Sequence, residues 1–259
     1  MVPRGGPVKT AVITGGNGGL GRALAAGLQG RGYHTVLLDI DVTGLAHNEL
    51  QTPIKVDLTD GDALAAISAT VIEMRPSVDL VVYNAGITQI GALIETNDVT
   101  HRKVFEINYF SAVNFARYFV QPLRKSRGSH LAISSVAGFS PLFHRTAYAA
   151  SKHALEGFFA SLRSEEAPFG VRTMIAAPSF IATNIGNEQR RDDGTARPGS
   201  AKDGLDYMST NAAAEVILRG VERGKAFIPV GRVAMLSWWI NSLSPRLFQR
   251  LMERKIRDR

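Results

Sequence analysis

The stretch TGGNGGLG, residues 14–21, limits the fold of this chain more than any other. It follows the β-branched run VKTAVIT (8–14) and leads into LGRALAAGLQGRG, where Leu20, Leu24 and Leu28 fall on one helical face. A glycine loop between a strand and a helix lets the backbone turn tightly and approach a pyrophosphate, while the helix N-terminus offers free N–H groups and partial positive charge. Gly15, Asn17, Gly18, Gly19 and Leu20 are therefore candidate cofactor contacts. The next run, HTVLLDI (34–40), reads as a second buried strand and ends at Asp39, 18 residues after Gly21. A carboxylate at about that distance suits the adenosine ribose hydroxyls, with Ile40 beside it. No Lys or Arg lies between Gly15 and Gly21 to offset a 2′-phosphate next to Asp39, so NAD is favoured over NADP. Asp57, with Leu58, ends a weaker third strand (52–58), placed either to accept from an adenine amine or to form a turn.

The same alternation continues along the chain. DALAAISATVIEM (62–74) reads as a helix and VDLVVYNAG (78–86) as a fourth strand, ending in Asn84, Ala85 and Gly86. A long helix is predicted from about Val99 to Lys125, then a strand over 128–135, a helix from about Ala147 to Ala167 and a sixth strand over 171–178. Strands separated by helices in this way predict an α/β doubly wound parallel sheet, the Rossmann fold, in a single domain over 8–230. Its 259 residues suit one domain. Residues 1–7 read as a tail in which VPRG resembles the scar of an engineered protease site, and nothing there resembles a signal peptide. The polar stretch 186–204 lies within a predicted loop of about 184–210, either a solvated connection or a lid.

The chain has no cysteine, which excludes disulfides and thiolate chemistry, and its histidines show no metal-ligand spacing. No metal is expected. The net charge of +7 raises nucleic-acid binding, but residues 245–259 hold six basic residues against two acidic ones, and the remaining body is nearly balanced. No nucleic-acid partner is expected.

In TAYAASKHALEG (146–157), Tyr148 and Lys152 stand four apart, so they are neighbours on a helix and the cation can stabilise a phenolate. With TGGNGGLG this motif makes the chain resemble the classical short-chain dehydrogenase/reductase family, over about residues 8–183. Ser135 stands thirteen residues before Tyr148, where that family has its serine, and Asn108 in FEINYF matches its asparagine. The resemblance implies that Tyr148 is the general acid in ketone reduction and the base in alcohol oxidation. It also implies that Lys152 lowers the phenol pKa and holds the nicotinamide ribose, that Ser135 binds the substrate oxygen, and that Asn108 supports a proton-relay water. Pro178, Ile181 and Thr183 match positions near the nicotinamide. Two positions depart from the pattern. Tyr83 stands where an asparagine is usual, putting a backbone contact in doubt, and Ser179 replaces a glycine after Pro178, which is expected to alter the hinge of the following loop.

The resemblance places substrate contacts around Phe139, Leu142, Phe143 and Phe180, with core packing as the alternative role for each, so a hydrophobic secondary alcohol or ketone is the expected substrate. An NADPH-dependent reductase of 3-oxoacyl thioesters and a catalytically silent dinucleotide-binding regulator stand as alternatives. Relatives commonly form homodimers or homotetramers through the long helices. Residues 231–259 form a predicted amphipathic helical extension, with Trp238 and Trp239 before Pro245 and a basic segment after it. This segment either packs on the body or on another subunit, or makes peripheral membrane contact, so a cytoplasmic or membrane-associated location is expected.

Overall fold

A computed structural model describes residues 8–75, 77–183, 191–197 and 207–257, with the backbone alone for 254–257. The tail at 1–7 and most of the predicted 184–210 loop lie outside the described residues.

In chain order the elements begin with β1 (Lys9–Thr14), α1 (Gly19–Gln29), β2 (Tyr33–Asp39), β3 (Gln51–Lys55), α2 (Gly61–Met74), β4 (Leu80–Tyr83) and β5 (Thr88–Gln89). Then follow α3 (Asp98–Phe105), a π-helical turn (Glu106–Phe110), α4 (Ser111–Ser126), β6 (Ser129–Ile133), α5 (Thr146–Glu166) and β7 (Arg172–Pro178). The chain finishes with β8 (Thr195–Ala196), α6 (Thr210–Glu222), β9 (Phe227–Val230), α7 (Arg232–Leu243) and α8 (Pro245–Arg257).

Seven strands form one parallel sheet in the order β3-β2-β1-β4-β6-β7-β9. The interiors of β1, β4 and β7 are continuous apolar runs because both faces are covered there, whereas the edge strand β3 is partly exposed. On one face α1 and α6 pack Leu20, Leu24, Leu28, Ile217 and Leu218 against Ile13 and Leu37. On the other, α2, α4 and α5 bring Leu64, Phe115, Phe119, Leu155 and Phe159 against Val12 and Val81. Alternate residues of one strand thus feed two separate cores. The strand order reverses between β1 and β4, and the crevice at their carboxyl ends is where ligands bind in such sheets.

The doubly wound sheet is as the sequence predicts, with one strand more. β9 is short and contains Pro229, which removes a ladder donor, and it lies on the sheet edge where that loss is tolerated. The polar segment read as loop also contains β8, which pairs antiparallel with β5. The helix expected over 99–125 is present but interrupted by the π-helical turn that carries Asn108. α7 and α8 pack on each other and on the body through β9 and the turn after β6.

Candidate active site

The glycine turn is held by close backbone packing. Gly15 has φ +65°, and a Cβ there would stand 2.9 Å from Ala85 Cα. A Cβ on Gly21 would run into the Gly15 carbonyl oxygen, so the helix can start this close to the turn only without side chains. Asn84 braces the turn, its Nδ2 donating to the carbonyls of Thr14 at 3.1 Å and Gly15 at 2.9 Å. α1 opens on Gly18 without a side-chain cap or an acidic residue in its first turn, which leaves its first N–H groups for an anion.

A cavity of about 890 Å³ runs from this turn to the catalytic candidates. Asp39, Ile40, Asp57 and Leu58 line one end; Gly15, Asn17, Gly18, Gly19, Leu20, Asn84, Ala85 and Gly86 line its middle. Ser135, Tyr148, Lys152, Pro178, Ile181 and Thr183 line the other end. Asp39 Oδ2 accepts from the Asn17 N–H at 2.9 Å, tying the acidic strand end to the glycine turn. Asp57 Oδ1 accepts from the N–H of Thr59 at 2.9 Å and its hydroxyl at 2.7 Å, so its turn-forming role is realised while it faces the cavity. The cradle only glycines can form, the uncapped helix start and the extent of the cavity fit a nicotinamide dinucleotide.

At the far end, Ser135 follows β6 and Tyr148 lies in the first turn of α5. Both line the cavity wall, and the Ser135 hydroxyl lies close enough to the phenol to favour its ionised form. The phenol opens partly onto the cavity but is ringed by protein, and burial pushes its pKa up, against the neighbouring Ser135 hydroxyl and the nearby Arg145 charge. Lys152 Nζ donates to the Ile133 carbonyl at 2.8 Å and lies 5.9 Å from the Tyr148 ring centroid. The groups that draw the phenol down here are Ser135 and Arg145, whereas the sequence reading gave that task to Lys152. Burial lowers Lys152 itself to about 8, opposed by the Glu156 carboxylate. Glu156 is raised to about 7 by burial, opposed by the Ser134 hydroxyl, which donates to it at 2.6 Å, and by Lys152.

Asn108 is buried behind the cavity wall. Its Oδ1 accepts from the Ile87 N–H at 2.8 Å, and its Nδ2 donates to the Ile87 carbonyl and Ser151 Oγ, both at 2.9 Å. A Cβ on Gly86 would lie 3.2 Å from Asn108 Oδ1 and 3.6 Å from Lys152 Nζ, so that glycine lies against both groups.

The departures from the family pattern have local explanations. Tyr83 is a core residue, its OH bonded to His130 Nδ1 at 2.6 Å and its ring 4.7 Å from that of Phe159. Ser179 is tied by its N–H, at 3.1 Å, and its hydroxyl, at 3.3 Å, to the Val230 carbonyl, which fastens the expected hinge to the end of β9.

Among the residues expected to contact substrate, Leu142, Phe143 and Phe180 line the cavity. Phe139 does not; its ring packs edge-on against Phe227 at 5.8 Å, and its carbonyl accepts from Asn241 at 2.6 Å. Sequence reasoning missed Arg22, Val233, Ser237, Phe248 and Met252, all of which line the cavity. Arg22 lies one residue past the glycine loop. Its guanidinium donates to the carbonyls of Asn17 at 3.2 Å and of Thr43 and Gly44 at 3.3 Å, closing the β2–β3 loop over the Asp39 end of the cavity. The other four come from α7 and α8, and only their apolar spacing marked that segment in the sequence. No group of three or more metal-ligating side chains occurs among the described residues.

A family model described as short chain dehydrogenase matches residues 9–194. "Dehydrogenase/reductase SDR family member 7B" of Xenopus laevis is 30% identical over 264 residues, which cover 96% of this chain and 82% of that one. A short-chain dehydrogenase of Burkholderia cenocepacia, solved in complex with NADP, has the same fold at TM-score 0.81 and 22% identity, covering 94% of this chain and 96% of that one. A short-chain dehydrogenase of Streptomyces avermitilis does so at TM-score 0.78 and 24% identity, covering 97% and 99%.

Proposed function

Because the chain belongs to the short-chain dehydrogenase/reductase family of oxidoreductases, we propose that it interconverts a hydrophobic secondary alcohol and its ketone, with Tyr148 as the acid/base. The observation that carries this reading is the gathering of Ser135, Tyr148 and Lys152 on the wall of one cavity, with Lys152 one helical turn beyond Tyr148 along α5. A bound nicotinamide dinucleotide supplies the hydride in reduction and takes it up in oxidation. In reduction Tyr148 gives its phenolic proton to the carbonyl oxygen while Ser135 holds that oxygen; in oxidation the phenolate takes the alcohol proton. A phenol raised by burial is protonated at neutral pH, which suits it to donate. The Lys152 ammonium, anchored on Ile133, holds the nicotinamide ribose, while Ser135 and the Arg145 charge favour the phenolate once the proton has left.

Asp39 at the adenosine end supports NAD over NADP. Its carboxylate would face a 2′-phosphate, and the nearby Arg22 is already committed to three backbone carbonyls. The apolar lining from Leu142, Phe143, Phe180, Phe248 and Met252 supports a hydrophobic substrate. Turnover of an alcohol and ketone panel with both cofactors, wild type beside Tyr148→Phe, tests the whole reading. NAD-linked turnover of bulky apolar substrates is expected, with kcat lowered roughly 10²–10⁴-fold in the variant. Equal turnover by the two proteins would refute the role of Tyr148. A preference for NADP would refute the use of Asp39 and favour an NADPH-dependent reductase.

A further inference from the structure

We propose that the outer face of α7 and α8 docks on an anionic membrane surface. Val233 and Ser237 of α7 line the substrate cavity. A helix turns about 100° per residue, so Met235 and Trp239, two positions on, point to the opposite side. Both are exposed, and Leu243 continues their row at 80% exposure. On α8, Phe248 and Met252 line the cavity, Leu247 and Leu251 beside them are exposed, and Arg246 and Arg250 lie opposite them in solvent. The two helices therefore close the active-site chamber with one side and offer water a row of large apolar side chains with arginines on the other.

A second feature continues this surface. A cavity of about 370 Å³ between α6, β9 and α7 is lined by Trp238, Trp239 and the cations Arg219, Arg223 and Lys225. Indole rings beside exposed cations suit the level where lipid headgroups meet acyl chains. No described helix is long and apolar enough to cross a membrane. Charge decides between occupants. A second copy of the chain, meeting this face by two-fold symmetry, would bring arginines against arginines. A nucleic acid would satisfy the cations and leave the leucines in water. An anionic bilayer satisfies both groups.

Docking in this way sets the chamber wall against the lipid phase, from which a lipophilic alcohol or ketone can enter; that consequence rests on the oxidoreductase reading above, whereas the docking does not. The test is flotation of the full-length protein with phosphatidylglycerol/phosphatidylcholine vesicles and with pure phosphatidylcholine vesicles, at low and high salt. Wild type is expected to float with the anionic vesicles and to be released by salt. Trp239→Glu/Leu243→Glu and Arg246→Glu/Arg250→Glu are each expected to reduce the floated fraction roughly tenfold. Both variants are expected to keep wild-type turnover of a water-soluble ketone. The proposal is overturned if wild type stays at the bottom, if it floats equally with neutral vesicles, or if the variants float like wild type. It is also overturned if sedimentation shows a dimer that Trp239→Glu/Leu243→Glu dissociates while no protein floats. Failure of wild type to turn over any ketone counts against the proposed reaction alone, because flotation is read independently of it.

Discussion

Among single residues, Glu156 adds something the Tyr148–Lys152 pair does not show by itself. It lies one further turn along α5, accepts from Ser134 at 2.6 Å, and its carboxylate favours the cation of Lys152. Ser134 adjoins Ser135, so Glu156 touches both halves of the site through their neighbours. Glu156→Gln keeps the shape and the acceptor but removes the charge. Lys152, held at about 8 with the carboxylate in place, then loses its proton at lower pH. The alkaline decline of kcat/KM for ketone reduction should move to lower pH in this variant, read from a pH–rate profile against wild type. An unmoved decline, or one displaced to higher pH, would show that Glu156 has no electrostatic hold on the lysine. Tyr148, Lys152 and Ser135 were legible because their spacing along the chain is itself the signal. Glu156 was not, since a helical glutamate is ordinarily solvated and only the fold places Ser134 over it. The raised phenol of Tyr148 was equally hidden, because the burial that raises it arises from three-dimensional packing.

At the level of elements, the π-helical turn inside the long helix shows how the backbone delivers Asn108. The helical period of residues 99–125 was legible, but one hydrogen-bond register shifted within a helix leaves the apolar pattern almost intact. Asn108 uses its carbonyl oxygen and both amide hydrogens, on Ile87 N–H, Ile87 C=O and Ser151 Oγ, fastening the strip after β4 to α5. Asn108→Ala removes all three bonds and orphans both backbone groups of Ile87. The expected loss is about 3 kcal/mol of stability, measured by urea unfolding, together with reduced kcat, because Gly86 and Lys152 adjoin this anchor. An unfolding midpoint equal to that of wild type would show that water replaces the side chain at no cost. β8 and β9 escaped the sequence reading for a related reason: two residues in a polar stretch, and four that include a proline, carry too little period to mark a strand.

For the whole molecule, the doubly wound sheet was legible because strand and helix periods alternate without interruption, and this topology gathers the glycine turn, Asp39, Ser135 and Pro178 at the carboxyl ends of the strands. The closure of the chamber was not legible, because Phe248 and Met252 reach it from far along the chain and no local pattern records what a helix covers. Phe248 is almost wholly buried on that wall, so its size limits what the chamber admits. Phe248→Ala should raise the kcat/KM ratio of a bulky aryl ketone over a small aliphatic ketone by roughly 10-fold or more, the scale on which apolar pockets discriminate. Taking the ratio within one preparation cancels any fraction of protein that the truncation unfolds. Met252→Ala, at a half-buried position on the same wall, should change the ratio in the same direction by less. If both variants keep the wild-type ratio, substrate does not reach α8, and specificity is set by the rest of the lining, Leu142, Phe143, Phe180 and the α7 residues Val233 and Ser237 among it.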